Sequence, residues 1–243
     1  MRNTARVIVM QPVLEIYPLD GFALWPVAEI ESFGYLPLSG ELAPAEVGTA
    51  VMRIVGCNDI DPELDNRPPR PADPLGSFLH GLLTFDSLFA AGGMRVTDSS
   101  SGITFLPGCC NGLEDWRDWH KVVDGSGHAS FGHDPDPFAE RLADTVRLTV
   151  DAEQDDSPVI ELSITEFRRL LDGAEHDLTN FLAIAATGCR STCRATSPPS
   201  PPRSRAYSPC PRRPCRQSHG LTAMLRRSTD GRMPPAQSSC ATR

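Results

Sequence analysis

The densest collection of chemically capable side chains lies between Cys109 and Asp136. Cys109 and Cys110 are adjacent, His120, His128 and His133 follow, and Asp134 and Asp136 trail the last histidine. A thiol, an imidazole and a carboxylate are the parts of a Cys–His nucleophile with an orienting acid. The same thiolates and imidazoles also suit a thiophilic metal ion. A helix beginning directly after the cysteines would depress a thiol pKa through the positive end of its dipole. Either chemistry needs an imidazole to come within reach of a sulfur in the fold. The candidate residues are therefore Cys109, Cys110, His120, His133 and Asp134, with His128 and Asp136 as alternates.

Plainer roles compete for each of them. No spacing here matches an established nucleophile motif or ligand pattern. The cysteines sit in a tight turn between Gly108 and Gly112, where small side chains fit as buried apolar groups. His120 falls on the apolar face of its own helix, and Trp116 and Trp119 read as core and edge packing. Asp134-Pro135 and Asp136-Pro137 read as turn and N-cap chemistry, with Pro137 opening a helix. No catalytic residue, metal or cofactor is assigned on sequence alone.

The surrounding elements must hold these residues in place. Asn111 followed by Glu114 has the form of a capping box, opening a helix that carries Leu113, Trp116, His120 and Val123 on one face. A glycine-rich loop covers residues 125–132. Residues 94–98 and 103–106 alternate with period two and read as a hairpin, as do residues 145–150 and 159–164. Val13 to Tyr17 is strand-prone, Pro18 to Gly21 turns, and Ala23 to Trp25 resumes the strand. Met10 is an alternative start, since little pattern precedes it. Pro44 opens a short helix with Val47, Val51 and Val55 on one face and Gly56 as its stop. Five prolines make residues 59–74 an exposed loop. Asp73 then caps one helix bearing Leu75, Phe78, Leu79, Leu82 and Leu83. Ser163 and Glu166 cap the longest helix, apolar along Phe167, Leu170, Leu171, Ala174, Leu178, Phe181, Leu182 and Ala185. Without regular strand–helix alternation, the fold class is α+β, a single domain of largely antiparallel strands with amphipathic helices over residues 1–187.

Charge divides the chain. Residues 1–187 hold 12 Lys and Arg against 30 Asp and Glu, a net of −18, which excludes nucleic acid as a partner of the body. Residues 188–243 hold 11 Arg, no Lys and only Asp230, a net of +10. An arginine-only tail suggests G+C-rich codons read out of frame. Shifting the frame turns Ser197, Ser200 and Ser204 into Val or Leu at helical spacing. The tail is accordingly expected to be disordered and a frameshift product. Its Cys189, Cys193, Cys210, Cys215 and His219 depart from paired zinc-knuckle spacing and read as chance. Apolar runs such as residues 181–186 are too short to span a membrane, and no signal peptide precedes Gln11-Pro12. With only Cys57, Cys109 and Cys110 in the body, the cysteines form no disulfide framework, and the expected location is cytoplasmic.

Gly108-Cys-Cys-Asn-Gly-Leu-Glu-Asp-Trp-Arg-Asp-Trp119 followed by Gly132-His-Asp-Pro-Asp-Pro137 resembles a family of bacterial proteins from high-G+C genomes. Glu15-Ile-Tyr-Pro-Leu-Asp-Gly21 and Asp177-Leu-Thr-Asn-Phe-Leu182 extend the resemblance over most of residues 13–187. The family has no established activity, so the resemblance implies no catalytic roles. It implies a last helix that continues past a Trp into Ala- and His-containing sequence, from which this chain departs after Ala186. Taken together, these observations lead to the expectation of a non-catalytic protein-interaction module of immunity or accessory type. The alternative is a Cys–His enzyme or metal-binding protein using Cys109 to Asp136. A protein partner is expected, a membrane is not, and the oligomeric state is not legible.

Overall fold

The computed structural model describes residues 6–17, 21–31 and 33–195, with residues 188–195 as helix backbone alone. Among these described residues, two four-stranded antiparallel sheets and five α-helices make a mixed α+β fold, as the sequence implied. The first sheet has the order β2-β1-β3-β4, formed by β1 (Ile8–Ile16), β2 (Gly34–Pro37), β3 (Gly92–Asp98) and β4 (Thr104–Phe105). The second runs in sequence order through β5 (His128–Ser130), β6 (Phe138–Leu142), β7 (Thr145–Thr149) and β8 (Val159–Ser163). One continuous apolar core joins them.

Both expected hairpins are present, because alternating side chains sort cleanly into a buried and an exposed face. On β7 and β8, Val146, Leu148, Ile160 and Leu162 point inward. β1 begins earlier than expected. Ile8 and Val9, upstream of Met10, pair with Asp98 and Thr97, and Pro12 lies inside this central strand. Pro12 is tolerated there because its nitrogen faces the same side as its carbonyl, which accepts from Leu38 N–H at 2.8 Å just past the end of β2. The ladder to β3 therefore does not need the missing N–H. Ala23 to Trp25 do not form a strand. Trp25 instead packs on Phe22 and Phe78, and its indole N–H donates to the Gly48 carbonyl at 2.8 Å. Pro18 to Asp20 of the expected turn lie outside the described residues.

α1 (Pro44–Cys57) opens on proline as expected and runs one residue past Gly56. Buried Asn58 follows. Its amide donates to the Ile54 and Phe89 carbonyls, and its oxygen accepts from Phe89 N–H, so the helix end is tied to the approach to β3. Residues 59–73 are a loop containing one 3-10 turn, Pro62–Asp65. Two arginines hold it: Arg67 donates to Thr84 Oγ1 and the Ile60 carbonyl, and Arg70 to Asp59 and the Ser77 and Ile60 carbonyls. The single helix expected next is two, α2 (Pro74–Phe78) and α3 (His80–Thr84), broken at Leu79. The break brings Gly81 against the Asn58 carbonyl, where a Cβ would stand 1.8 Å from the oxygen. Asp73 caps α2 by accepting Gly76 N–H.

Glycine-rich residues 125–132 contain strand β5, and Pro137 leads into strand β6 rather than a helix. α4 (Trp119–Asp124) follows a 3-10 helix, Leu113–Asp118. α5 (Ile164–Ala195) starts where expected, with Ser163 Oγ accepting Glu166 N–H at 3.1 Å. Its buried face of Phe167, Leu170, Leu171, Ala174, Leu178, Phe181 and Ala185 packs mainly on β1 and α1. The helix backbone continues past the expected boundary at 187; residues 196–243, and the side chains of Cys189 and Cys193, lie outside what is described. Among the described residues no helix is long and apolar enough to cross a membrane.

At the core's centre Trp119 lies flat on Phe131, centroids 3.9 Å apart and planes 15° apart, with Phe105 and Phe167 against the indole. Replacing Phe131 with Ala should therefore lower stability by about 3–5 kcal/mol, read as a drop in the urea midpoint with a changed tryptophan emission. Leu142→Ala, at an exposed position at the end of β6, should cost far less, within about 1 kcal/mol. Equal losses from the two would show that the stack is not a special anchor.

Candidate functional site

Three of the candidate residues converge. One ligand atom from each of Cys109, Cys110 and His133 lies within 4.8 Å of the others, and all three residues are exposed. Two loops create this meeting. Residues 107–112 leave β4, residues 131–137 join β5 to β6, and they pair as a short antiparallel bridge. Cys109 N–H donates to the His133 carbonyl at 2.6 Å and His133 N–H returns to the Cys109 carbonyl at 3.2 Å. Gly108 N–H donates to the Phe131 carbonyl at 2.9 Å.

The approach is so close that glycine is required on both sides. A Cβ on Gly108 would meet the Pro135 carbonyl at 2.4 Å, and one on Gly132, at φ +111°, would meet the Cys109 carbonyl at 2.7 Å. Each of these glycines directly precedes a candidate residue, which is the signal in the sequence that the two segments touch. Cys110 is itself left-handed at φ +64°, as is Asp134 at φ +49°. Left-handed non-glycine residues are uncommon and gather at functional sites.

Within the cluster, Cys109 Sγ and Cys110 Sγ are 3.4 Å apart. His133 Nδ1 is 3.2 Å from Asp134 Oδ2, so Asp134 orients this ring. Asp136 orients no histidine; it accepts from Ser130 Oγ at 2.9 Å. His120 and His128 stand apart from the sulfurs' cluster. His120 meets the edge of the Trp116 ring, and His128 stacks on Phe138 from strand β5.

Two expectations about the cysteines are corrected. They are exposed rather than buried apolar filler. Nor is the Cys109 pKa depressed by a helix dipole: it is raised, foremost by its hydrogen bond with Cys110, then by partial desolvation and the charges of Cys110, Glu15 and Asp134. The helix starts only at Leu113, as a 3-10 helix, too far on for its end to act on the thiols. Glu15 and Tyr35, on the paired strands β1 and β2, are neighbours that sequence reasoning missed. The Tyr35 hydroxyl donates to the Pro107 carbonyl at 3.1 Å, and its pKa is raised by burial, then by Glu15 and Cys109. Only a long-range pairing brings them here, so nothing local announces it.

The capping box is also replaced by a different device. Gly112 is the N-cap residue, and Asn111 Nδ2 donates to the Gly92 carbonyl at 2.6 Å. Glu114 turns back to accept Ala90 N–H at 3.0 Å, while Ala91 and Gly112 form a bridge. The segment carrying the cysteines is thus fastened at both ends, to β3 and to the β5–β6 loop. Trp116 and Trp119 are both buried, and it is Trp119 that lies deeper.

Neither protein-family models nor curated proteins nor solved structures give a match to this chain.

Burial pushes the Glu114 carboxyl up to about 7, against the backbone N–H bonds that favour its ionised form. An acid whose pKa is higher folded than unfolded stabilises most when protonated. Glu114 therefore supports the fold fully below about pH 4.5, and its support declines as pH rises through about 7. Glu114→Gln keeps a neutral acceptor for Ala90 N–H. Its stability relative to wild type should rise between pH 5 and pH 8, by up to about 3 kcal/mol, in paired urea melts. A difference that stays constant with pH would show that Glu114 titrates normally.

Proposed function

We propose that the protein binds a thiophilic metal ion through Cys109, Cys110 and His133. The convergence of three exposed donor atoms within 4.8 Å is the observation that supports this reading. Two thiols and an imidazole suit zinc and related soft ions and suit calcium or magnesium poorly. The rival use of the same residues, as a Cys–His nucleophile, has less support. The partner of Cys109 Sγ is another sulfur, and His133 Nδ1 is engaged by Asp134. A cytoplasmic location, expected from the sequence, accords with this proposal, since a reducing compartment keeps adjacent exposed thiols free to ligate. Kinship with the bacterial family resembled at Gly108 to Pro137 belongs to the same proposal.

The test uses the full-length chain with Ser at Cys189, Cys193, Cys210, Cys215 and Cys240, titrated with cadmium under a phosphine reductant. One equivalent should bind with an ultraviolet thiolate-to-cadmium band. Cys109→Ser and Cys110→Ser should each abolish the band, and His133→Ala should weaken binding more than about tenfold, since a direct ligand outweighs an outer-shell partner. Fully reduced protein that takes up no stoichiometric metal overturns the reading.

A second reading, the protein-interaction role, is favoured by one surface. Leu64 is 75% exposed, and Ile60 and Leu83 are exposed on the segments that Arg67 joins through its bonds to the Ile60 carbonyl and Thr84. Apolar side chains held outward on a fixed loop suit a protein partner. Leu64→Asp should leave the melting temperature unchanged within about 0.5 kcal/mol of stability. It should also remove any discrete adduct formed in cells by a photo-crosslinker at position 60. An adduct pattern identical in both chains excludes this surface.

A further inference from the structure

We infer that the Cys109–Cys110–His133 cluster is a tetrahedral site of the zinc class with one open, solvent-facing position, and that Asp134 is the positioning residue for its imidazole. The inference rests on the metal-binding reading above and adds the kind of ion, the coordination number and what else can enter.

The sulfur separation suits a tetrahedral ion better than a linear one. With metal–sulfur bonds of about 2.3 Å, a tetrahedral ion holds two thiolates about 3.8 Å apart, while a linear two-coordinate ion needs about 4.6 Å. The observed 3.4 Å is close to the first and well short of the second. The left-handed turn at Cys110 is what brings adjacent side chains, which in an extended strand would point to opposite faces, onto one side. His133, locked across the backbone bridge, supplies the third donor. Asp134 accepts from Nδ1 and thereby fixes the tautomer that offers Nε2 to a metal, the usual carboxylate–histidine support of a ligating imidazole.

Three protein donors leave a fourth position, and because all three residues are exposed it faces water. Two thiolates neutralise a divalent ion. The carboxylates that act on Cys109, Glu15 and Asp134, then make the surroundings negative. The open position therefore takes small neutral donors, such as water or an imidazole, in preference to anions.

Cobalt(II) in the full-length chain with serine at the five tail cysteines tests this. The expected result is an intense tetrahedral visible spectrum with a thiolate charge-transfer band, shifted by added imidazole and unmoved by the same concentration of acetate or phosphate. Asp134→Asn should weaken cobalt binding by about 10–100-fold with the saturated thiolate band retained and the apo melting temperature unchanged. Asp134→Glu should recover part of the loss. A weak octahedral spectrum, no response to imidazole, or Asp134→Asn affinity equal to wild type overturns the inference while leaving metal binding standing. So does preferred binding of a monovalent or mercuric ion that His133→Ala does not weaken. Failure of cobalt, zinc and cadmium alike to bind overturns both.

Discussion

The flat contact of Trp119 on Phe131 is the interaction from which the rest of the molecule takes its register. Trp119 opens α4, Phe131 directly follows β5, Phe105 belongs to β4 and Phe167 to α5, so four segments distant in sequence meet at one buried stack. Aromatic pairs with this geometry add about 0.5–1.5 kcal/mol beyond the area they bury. Their larger effect is positional. Phe131 has its N–H on the Pro137 carbonyl and its carbonyl on Gly108 N–H. Once the ring is seated, Gly132 and His133 can lie only opposite Gly108 and Cys109. A core contact thereby sets the geometry of a surface cluster.

The same segment faces the other sheet as well. Ala91 and Gly112 pair, Asn111 donates to the Gly92 carbonyl, and Glu114 accepts from Ala90. Residues 107–114 thus act as a clasp between two sheets that share no strand-to-strand hydrogen bond with each other. Irregular backbone can be buried between sheets only if its polar groups find partners, and here the backbone of Ala90, Gly92, Phe131 and His133 supplies most of them, with the Tyr35 hydroxyl on the Pro107 carbonyl. Partial desolvation of Glu114 is what that arrangement costs, since its half-buried carboxylate is turned inward to accept from the Ala90 amide.

Much of the fold was legible because half-buried elements write their period into the sequence. β3 and β4, β7 and β8, α1 and α5 all carry one apolar face, and all stand where the alternation or the helical stripe places them. What was not legible depended on partners far along the chain. Pro12 reads as a strand breaker until it is known that β2 ends at its level. The stripe from Leu75 to Leu83 is continuous, yet the helix breaks at Leu79, just before Gly81 meets the Asn58 carbonyl, a contact nothing local announces. Asn111 and Glu114 have the residue types of a capping box, yet both find backbone partners in β3 and the residues leading to it. Residues 125–132 look like a loop because β5 is short and set among glycines, and Pro137 reads as a helix start although it leads into β6. For the site, the cysteines and His133 were among the candidates, but which of three histidines reaches them is a tertiary fact. Glu15 and Tyr35 were invisible for the same reason.

The backbone at Cys110 bears on why a thiol stands there at all. Gly108 and Gly132 are needed by the close approach of the two loops whatever the cluster does, so their presence says nothing about ligands. Cys110 is different. A residue at φ +64° pays roughly 1–2 kcal/mol unless it is glycine, asparagine or aspartate. An exposed side chain recovers none of this by burial. Asp134 faces no such penalty, because aspartate tolerates the left-handed region by local hydrogen bonding. For turning the chain, glycine or asparagine at position 110 would be the more stable choice. Exposed Phe33 and Ala143 are left-handed too, at φ +65° and +54°, so what distinguishes Cys110 is not the turn but the second sulfur 3.4 Å away.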